Sequence, residues 1–203
     1  MDIDEFVKLR SKGRTQFKNI NLSGQTLEED SLYGLDLEGA QLVGTELIHV
    51  KLEKVNLRNA NLHQAHIFSG EWSYVNLNGA DLSHSLIEDM LCRMSSLNQT
   101  NFTQASIQLS VFSSSPFEGS TFSKASVQAA TFFRSALNRT NWTEANLKRL
   151  DWMELSCVNA QFYKARLEQS RLAQVDLEGS GFEQAELIKV QFPRCRFFFL
   201  ANL

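Results

Sequence analysis

No charge of one sign dominates this chain. Its 203 residues carry 20 Lys and Arg against 23 Asp and Glu, a net charge of −3. So small an excess makes no strong field, which argues against direct nucleic-acid binding and against a membrane-surface binder. No apolar run approaches the ~20 residues that cross a bilayer, and the opening Met1-Asp2-Ile3-Asp4-Glu5 lacks the basic start of a secretory leader. The expected location is therefore cytoplasmic, with export by a specialised system as the exception such a reading would miss. Cysteine is scarce as well: Cys92, Cys157 and Cys195 form no paired motif. Gly-rich phosphate loops and nucleophile elbows are also missing, so no catalytic, cofactor-binding or metal-binding residues are assigned.

What the chain does have is a period. Every fifth residue from Phe17 to Phe197 is apolar, thirty-seven positions in one register. At a hydrophobic fraction of 43% the random probability is about 10⁻¹⁴, so a repeat is the economical explanation. Five fits neither the 3.6 of a helix nor the alternation of a long strand, and it requires a chain that turns a corner in each unit. With the apolar residue as the centre, the residue two before it is usually small, as in Ala40, Ala60, Ala80, Ala125 and Ala145. Centre and small slot point inward. The residue just before the centre is often Asn or Asp, giving units such as Ala60-Asn61-Leu62, Ala80-Asp81-Leu82 and Ala145-Asn146-Leu147.

These units resemble the pentapeptide repeat family over roughly residues 15–200. The resemblance implies an all-β fold, a right-handed quadrilateral parallel β-helix with four units per coil and about nine coils. Residues twenty apart then stack, and four faces follow, led by Phe17, Leu22, Leu27 and Leu32. All three tryptophans and ten of fifteen phenylalanines fall on centres, and seven of ten glycines fall two after a centre, where a corner favours positive φ. Val50, Val55, Val75, Met90, Leu150, Leu155, Val175 and Val190 are oversized for the small slot and predict locally widened coils. Stacked at sheet spacing, Cys157 and Cys195 lie about 10 Å apart, beyond disulfide reach. The expected domains are a capping helix over 1–14, with Asp2 as N-cap and Ile3, Phe6 and Val7 on one face, and a single repeat domain over 15–203 without interrupting loops.

The expected function is a non-enzymatic protein-interaction module. Stacking by twenties gathers Tyr74, Leu91, Met94, Val111, Phe133 and Met153 on one face and Ile48 with Phe68 on the next, a candidate partner surface. Phe197, Phe198, Phe199, Leu200 and Leu203 are candidates for self-association as a homodimer through the C-terminal coil. Some relatives mimic DNA and bind DNA gyrase or topoisomerase IV, conferring quinolone-type protection, and others are secreted bacterial effectors; both are alternatives that the resemblance supplies. The mimic needs dense negative charge. The Leu27 face, with seven acids and four bases, comes nearest, through a patch at Glu28, Glu29, Glu46, Glu88 and Asp89. The Leu32 face has four acids and six bases. His49, His63, His66 and His84 map outward and read as solvated residues.

Overall fold

The structure is a computed structural model and describes residues 2–197. The five-residue register becomes a four-sided parallel β-solenoid in which partners lie twenty residues apart. On the Leu27 face, nine three-residue strands from Thr26–Glu28 to Glu186–Ile188 form one parallel sheet. Eight more, from Ser31–Tyr33 to Arg171–Ala173, form a second on the Leu32 face. Bridges such as Asp36 with Asn56 and Asn61 with Asp81 join coils on the remaining two faces. Eight steps of twenty separate the first strand of the larger sheet from the last, so about eight turns lie between them.

The faces are of two kinds. On the Phe17 and Leu22 faces the chain folds into a tight turn after each centre, its fourth N–H donating to the centre's carbonyl, as Ala60 does to Leu57 and Ala125 to Phe122, except at Leu97, where Thr100 N donates to Ser120 Oγ. The third residue of each turn has positive φ, the signature of a type II turn. The Leu27 and Leu32 faces lack this bond and run as strands. Positive φ nevertheless recurs at every corner from Asn19 to Arg194, in twenty-nine non-glycine residues and seven glycines. Six of those glycines lie on the turn faces. Gly39, Gly79 and Gly179 have a second reason to lack a side chain: Asn19, Asn59 and Asn159, one coil below, each place Oδ1 where a Cβ would stand.

The two kinds of face also explain the oversized slots. All eight follow a centre of a strand face, where no turn bond draws the slot back toward its own unit. Val50, Val55, Val75, Met90, Leu150, Leu155 and Val175 are buried there and Val190 is half-buried, with the pairing register unbroken around them. Slots after turn faces hold Ala, Ser or Thr almost throughout. Several slots after strand faces use serine instead of a turn bond. Val75 N donates to Ser95 Oγ, Ser95 N to Ser115 Oγ and Ser115 N to Ser135 Oγ, while each hydroxyl donates to a carbonyl two residues back. Buried hydroxyls are thus fully partnered, as burial requires.

Leucine gives way to rings along the rod. On the Leu22 face Phe102, Phe122, Trp142, Phe162 and Phe182 stack nearly parallel, with centroids 4.0–6.2 Å apart. Phe132 and Trp152 of the opposite face meet this column edge-on or tilted. At the N-terminal end the helix Ile3–Ser11 covers the first coil, with Asp2 accepting from Glu5 N at 2.8 Å. Phe6 is fully buried and packs edge-on against Phe17 at 4.8 Å, while Arg10 pairs with Asp30 at 2.6 Å. Val7 departs from expectation: it is 40% exposed, and Ile3 and Leu9 flank Phe6 on the packed side instead. A rise of 100° per residue carries Val7 away from the face that Ile3, Phe6 and Leu9 share.

Candidate interaction surface

Backbone alternation sets the surface. Each strand before Glu186–Ile188 buries its centre and, Ala173 apart, turns the residues on either side outward, so outward side chains form ladders with twenty-residue steps. Charged ladders mostly cancel. Lys18 pairs with Glu38, Lys51 with Glu71, Arg134 with Glu154, Arg166 with Glu186 and Asp151 with Arg171, each across one coil step. Exposed pairs of this kind contribute little to stability. Their consequence here is electrostatic: acid and base alternate, and no face carries a uniform field. Glu38, then Asp36, hold the Lys18 ammonium above its ordinary pKa, and Tyr33 does the same for Lys54.

The apolar ladders are unevenly placed. Ile48 pairs with Phe68 on the Leu27 sheet, and Leu91 with Val111 and Phe133 with Met153 on the Leu32 sheet. Tyr74 and Met94 stand at the corner beyond, 53% and 55% exposed. The expected partner residues therefore share two adjacent faces, although Ile48, Leu91, Val111, Phe133 and Met153 are only partly exposed. Sequence reasoning passed over two members, Leu109 at 65% and Tyr33 at 60% exposure. Leu109 occupies a positive-φ corner between the two sheets, so its outward direction could have been read from its place in the unit. Among the described residues the turn faces carry only Tyr163 as an exposed large hydrophobic, capped by the Lys164 ammonium 5.0 Å from its ring.

The expected acidic patch separates into two groups. Glu28, Glu29 and Glu46 lie in the first coils and Glu88 and Asp89 further along, with Ile48 and Phe68 occupying the steps between Glu28 and Glu88. Histidines crowd the same stretch. His49 packs edge-on to Phe68 at 5.4 Å, His66 Nε2 lies 3.4 Å from Glu88, and His63 meets His84 at 5.1 Å while its Nδ1 bonds Ser83 Oγ at 2.9 Å. Among the described residues no group of three His, Cys, Asp or Glu side chains could hold a metal ion. Of the expected self-association residues, Phe197 is half-buried and packs edge-on to Phe192; Phe198, Phe199, Leu200 and Leu203 lie outside the described residues.

The model of the family described as pentapeptide repeats matches residues 31–64 and 160–197 with eight copies. In those two segments the chain carries the repeats of that family. Among solved structures it is similar to HetL, a pentapeptide repeat protein involved in heterocyst differentiation regulation from the cyanobacterium Nostoc sp. strain PCC 7120. That match has 23% identity, a TM-score of 0.77 and 94% of each chain covered. Looser matches are Rfr23 of the cyanobacterium Cyanothece 51142, at 17% identity, TM-score 0.47 and coverage of 63% of this chain and 91% of that one, and full-length QnrB1, a plasmid-mediated fluoroquinolone resistance protein. For QnrB1 the values are 13%, 0.34, 85% and 93%. No curated protein matches the chain in sequence. The HetL likeness fixes the fold and leaves function open.

Within this pentapeptide repeat solenoid Cys92 and Cys157 are buried and Cys195 is half-buried. Burial raises the Cys92 pKa to about 11. It raises Cys157 further, with Cys195 adding to the effect, and raises Cys195 itself. Thiolates are thus suppressed at neutral pH, and with them nucleophilic chemistry at sulfur. Among the described residues no helix is long and apolar enough to cross a membrane. One depression on the Leu32 face, of about 170 Å³, is lined by Leu52, Trp72, Ser73, Leu91 and Arg93 together with Lys51, Glu53 and Glu71.

Proposed function

We propose that this chain is a non-enzymatic protein-interaction module whose partner side is the pair of adjacent strand faces. The observation that carries the reading is the one-sided distribution of outward apolar side chains. Among the described residues Tyr33, Phe68, Tyr74, Met94 and Leu109 are exposed on the strand faces, against Tyr163 alone on the turn faces. A contiguous apolar area flanked by polar ladders is what a macromolecular contact uses. The test is affinity capture with the full chain and with the triple variant Tyr74→Ser, Met94→Ser and Phe133→Ser. All three side chains point outward, so the variant keeps its circular dichroism and melting profile while losing the captured protein. Undiminished capture by the variant would remove these faces from consideration.

Self-association through the last coil is a companion proposal. Phe182, Phe192 and Phe197 are half-buried and Leu187 is 46% exposed, whereas the equivalent centres one coil below, Phe162, Leu167, Leu172 and Leu177, are buried. The expected outcome is a dimer by light scattering that becomes a folded monomer on combining Leu187→Asp with Phe198→Asp and Phe199→Asp. An unchanged mass for that variant would end the idea. No comparable observation favours gyrase or topoisomerase IV binding, since the acidic residues it needs fall into two groups, and delivery as a secreted effector rests on resemblance alone.

A further inference from the structure

We infer that Arg93 is an anchor for a carboxylate of the partner protein, with an apolar side chain of the same partner entering the depression beside it. The inference rests on the interaction reading above and specifies the partner's chemistry. It begins with an exception to the charge ladders. On the Leu32 face Arg134 pairs with Glu154 at 2.7 Å, Arg171 with Asp151 at 3.4 Å, Lys51 with Glu71 at 3.1 Å and Lys54 with Glu53 at 3.6 Å. Arg93 is exposed, and its guanidinium, like that of Arg194 in the last coil, has no ion-pair or hydrogen-bond partner among the described residues, while its carbonyl accepts from Tyr74 N and Ser95 Oγ. Register is the reason: the residues directly below and above it are Ser73 and Ser113, which offer no charge. The nearest acids of the face, Glu53 and Glu71, are already held by lysines.

The surroundings of that guanidinium combine apolar side chains with Lys51, Glu53 and Glu71, whose charges are already paired. Leu91 is its outward companion on the same strand, Met94 follows it at the corner, and Tyr74 stands one coil below Met94. Ser73, the small residue between Glu53 and Arg93 in their ladder, leaves the depression over Leu52 and Trp72 open beside the cation. A planar fork of five donors on a face that also presents Leu91, Met94 and Tyr74 has the composition of an interface hot spot, where apolar contacts exclude water and strengthen a charge-assisted bond. A carboxylate meets that fork with two parallel bonds. Nucleic acid fits less well, because phosphate backbones need a row of cations and the neighbouring lysines here are neutralised. The matching ligand is therefore a protein segment with one Asp or Glu flanked within a few residues by aliphatic or aromatic side chains.

The probe is a displayed library of random twelve-residue peptides selected on the full chain, with the recovered sequences synthesised and labelled for anisotropy titration. Recovered peptides should share an acidic residue next to apolar ones. Arg93→Glu should weaken them about tenfold or more, the scale of losing a desolvated charge pair, and a peptide with its acid changed to Lys should bind Arg93→Glu better than it binds the native chain. Peptides without an acid, or equal binding to Arg93→Glu, overturn the inference. If such peptides are still weakened by the double variant Tyr74→Ser and Met94→Ser, the interaction reading survives and the role of Arg93 falls. If neither variant matters, or nothing is recovered, both fall. Displacement of the peptides by a short DNA duplex at equal affinity also counts against a protein carboxylate as the ligand.

Discussion

The turn faces and the strand faces of this rod are built from the same five-residue unit and solve different problems. On the turn faces the backbone is tied locally: Ala125 N bonds Phe122 O, Asn or Asp before the centre accepts from the N–H two residues on, and the slot after the turn is kept small. On the strand faces the ties run between coils, through ladder bonds and serine hydroxyls, and the slot admits Val, Leu or Met. Local closure fixes side-chain identity tightly and leaves little surface to vary. Interchain-like stacking between coils frees the outward positions, and that is where the exposed apolar residues and the unpaired Arg93 are found. In this solenoid two faces specify the winding and the other two are available for recognition.

The largest effect expected from breaking this comparison is in the core. Ala125 and Ala130 are neighbouring slots of one coil, each 1% exposed. Ala125 closes a turn and stacks between Ala105 and Ala145 at the twenty-residue step; Ala130 follows a strand, with Ser110 and Leu150 at the same step. Overpacking a well-filled core costs about 1–3 kcal/mol. Ala125→Leu should reach the upper part of that range, whereas Ala130→Leu, in a column that already holds Val50, Met90 and Leu150, should fall near its lower end. Denaturant midpoints followed by tryptophan fluorescence decide the matter. Equal losses would mean that slot size is not set by the kind of corner.

Much of this was readable in advance. Inward and outward positions follow from period five, and the four stacked columns from the four units per coil that the resemblance implies, because stacking by twenties needs no atomic detail. The division between turn and strand faces was also written in the chain and went unread. All eight oversized slots fall after Leu27-face or Leu32-face centres, and every corner Asn, at 19, 59 and 159, is answered twenty residues later by a glycine. Corners from Asn19 to Arg194 hold no Val, Ile or Thr, as positive φ demands. Gly70 follows a different logic: its φ is not positive, and a Cβ there would lie 3.1 Å from Trp72 Nε1. The lone state of Arg93 was less accessible. It depends on side chains above, below and across the corner together, which a one-dimensional charge count merges into a total of four acids and six bases.

The smallest expected effect sharpens the comparison from the outside. Asn56 lies before the Leu57 centre of a turn face, where its Oδ1 accepts from Arg58 N at 3.2 Å and from Asn76 Nδ2 at 3.2 Å while its own Nδ2 donates to Asp36 Oδ1 at 2.9 Å. Lys51 holds the corresponding place on a strand face, before Leu52, and its ammonium makes an exposed ion pair with Glu71. Removing the amide leaves part-buried groups on three consecutive coils short of a partner, which costs about 1 kcal/mol or somewhat more. Removing the lysine releases one solvated pair and should change stability by no more than about 0.5 kcal/mol. Asn56→Ala should therefore lower the denaturant midpoint measurably and Lys51→Ala should not. Comparable losses would show that every outward polar ladder clamps the coils, and the preference for Asn and Asp before turn-face centres would then need a cause other than the turn itself.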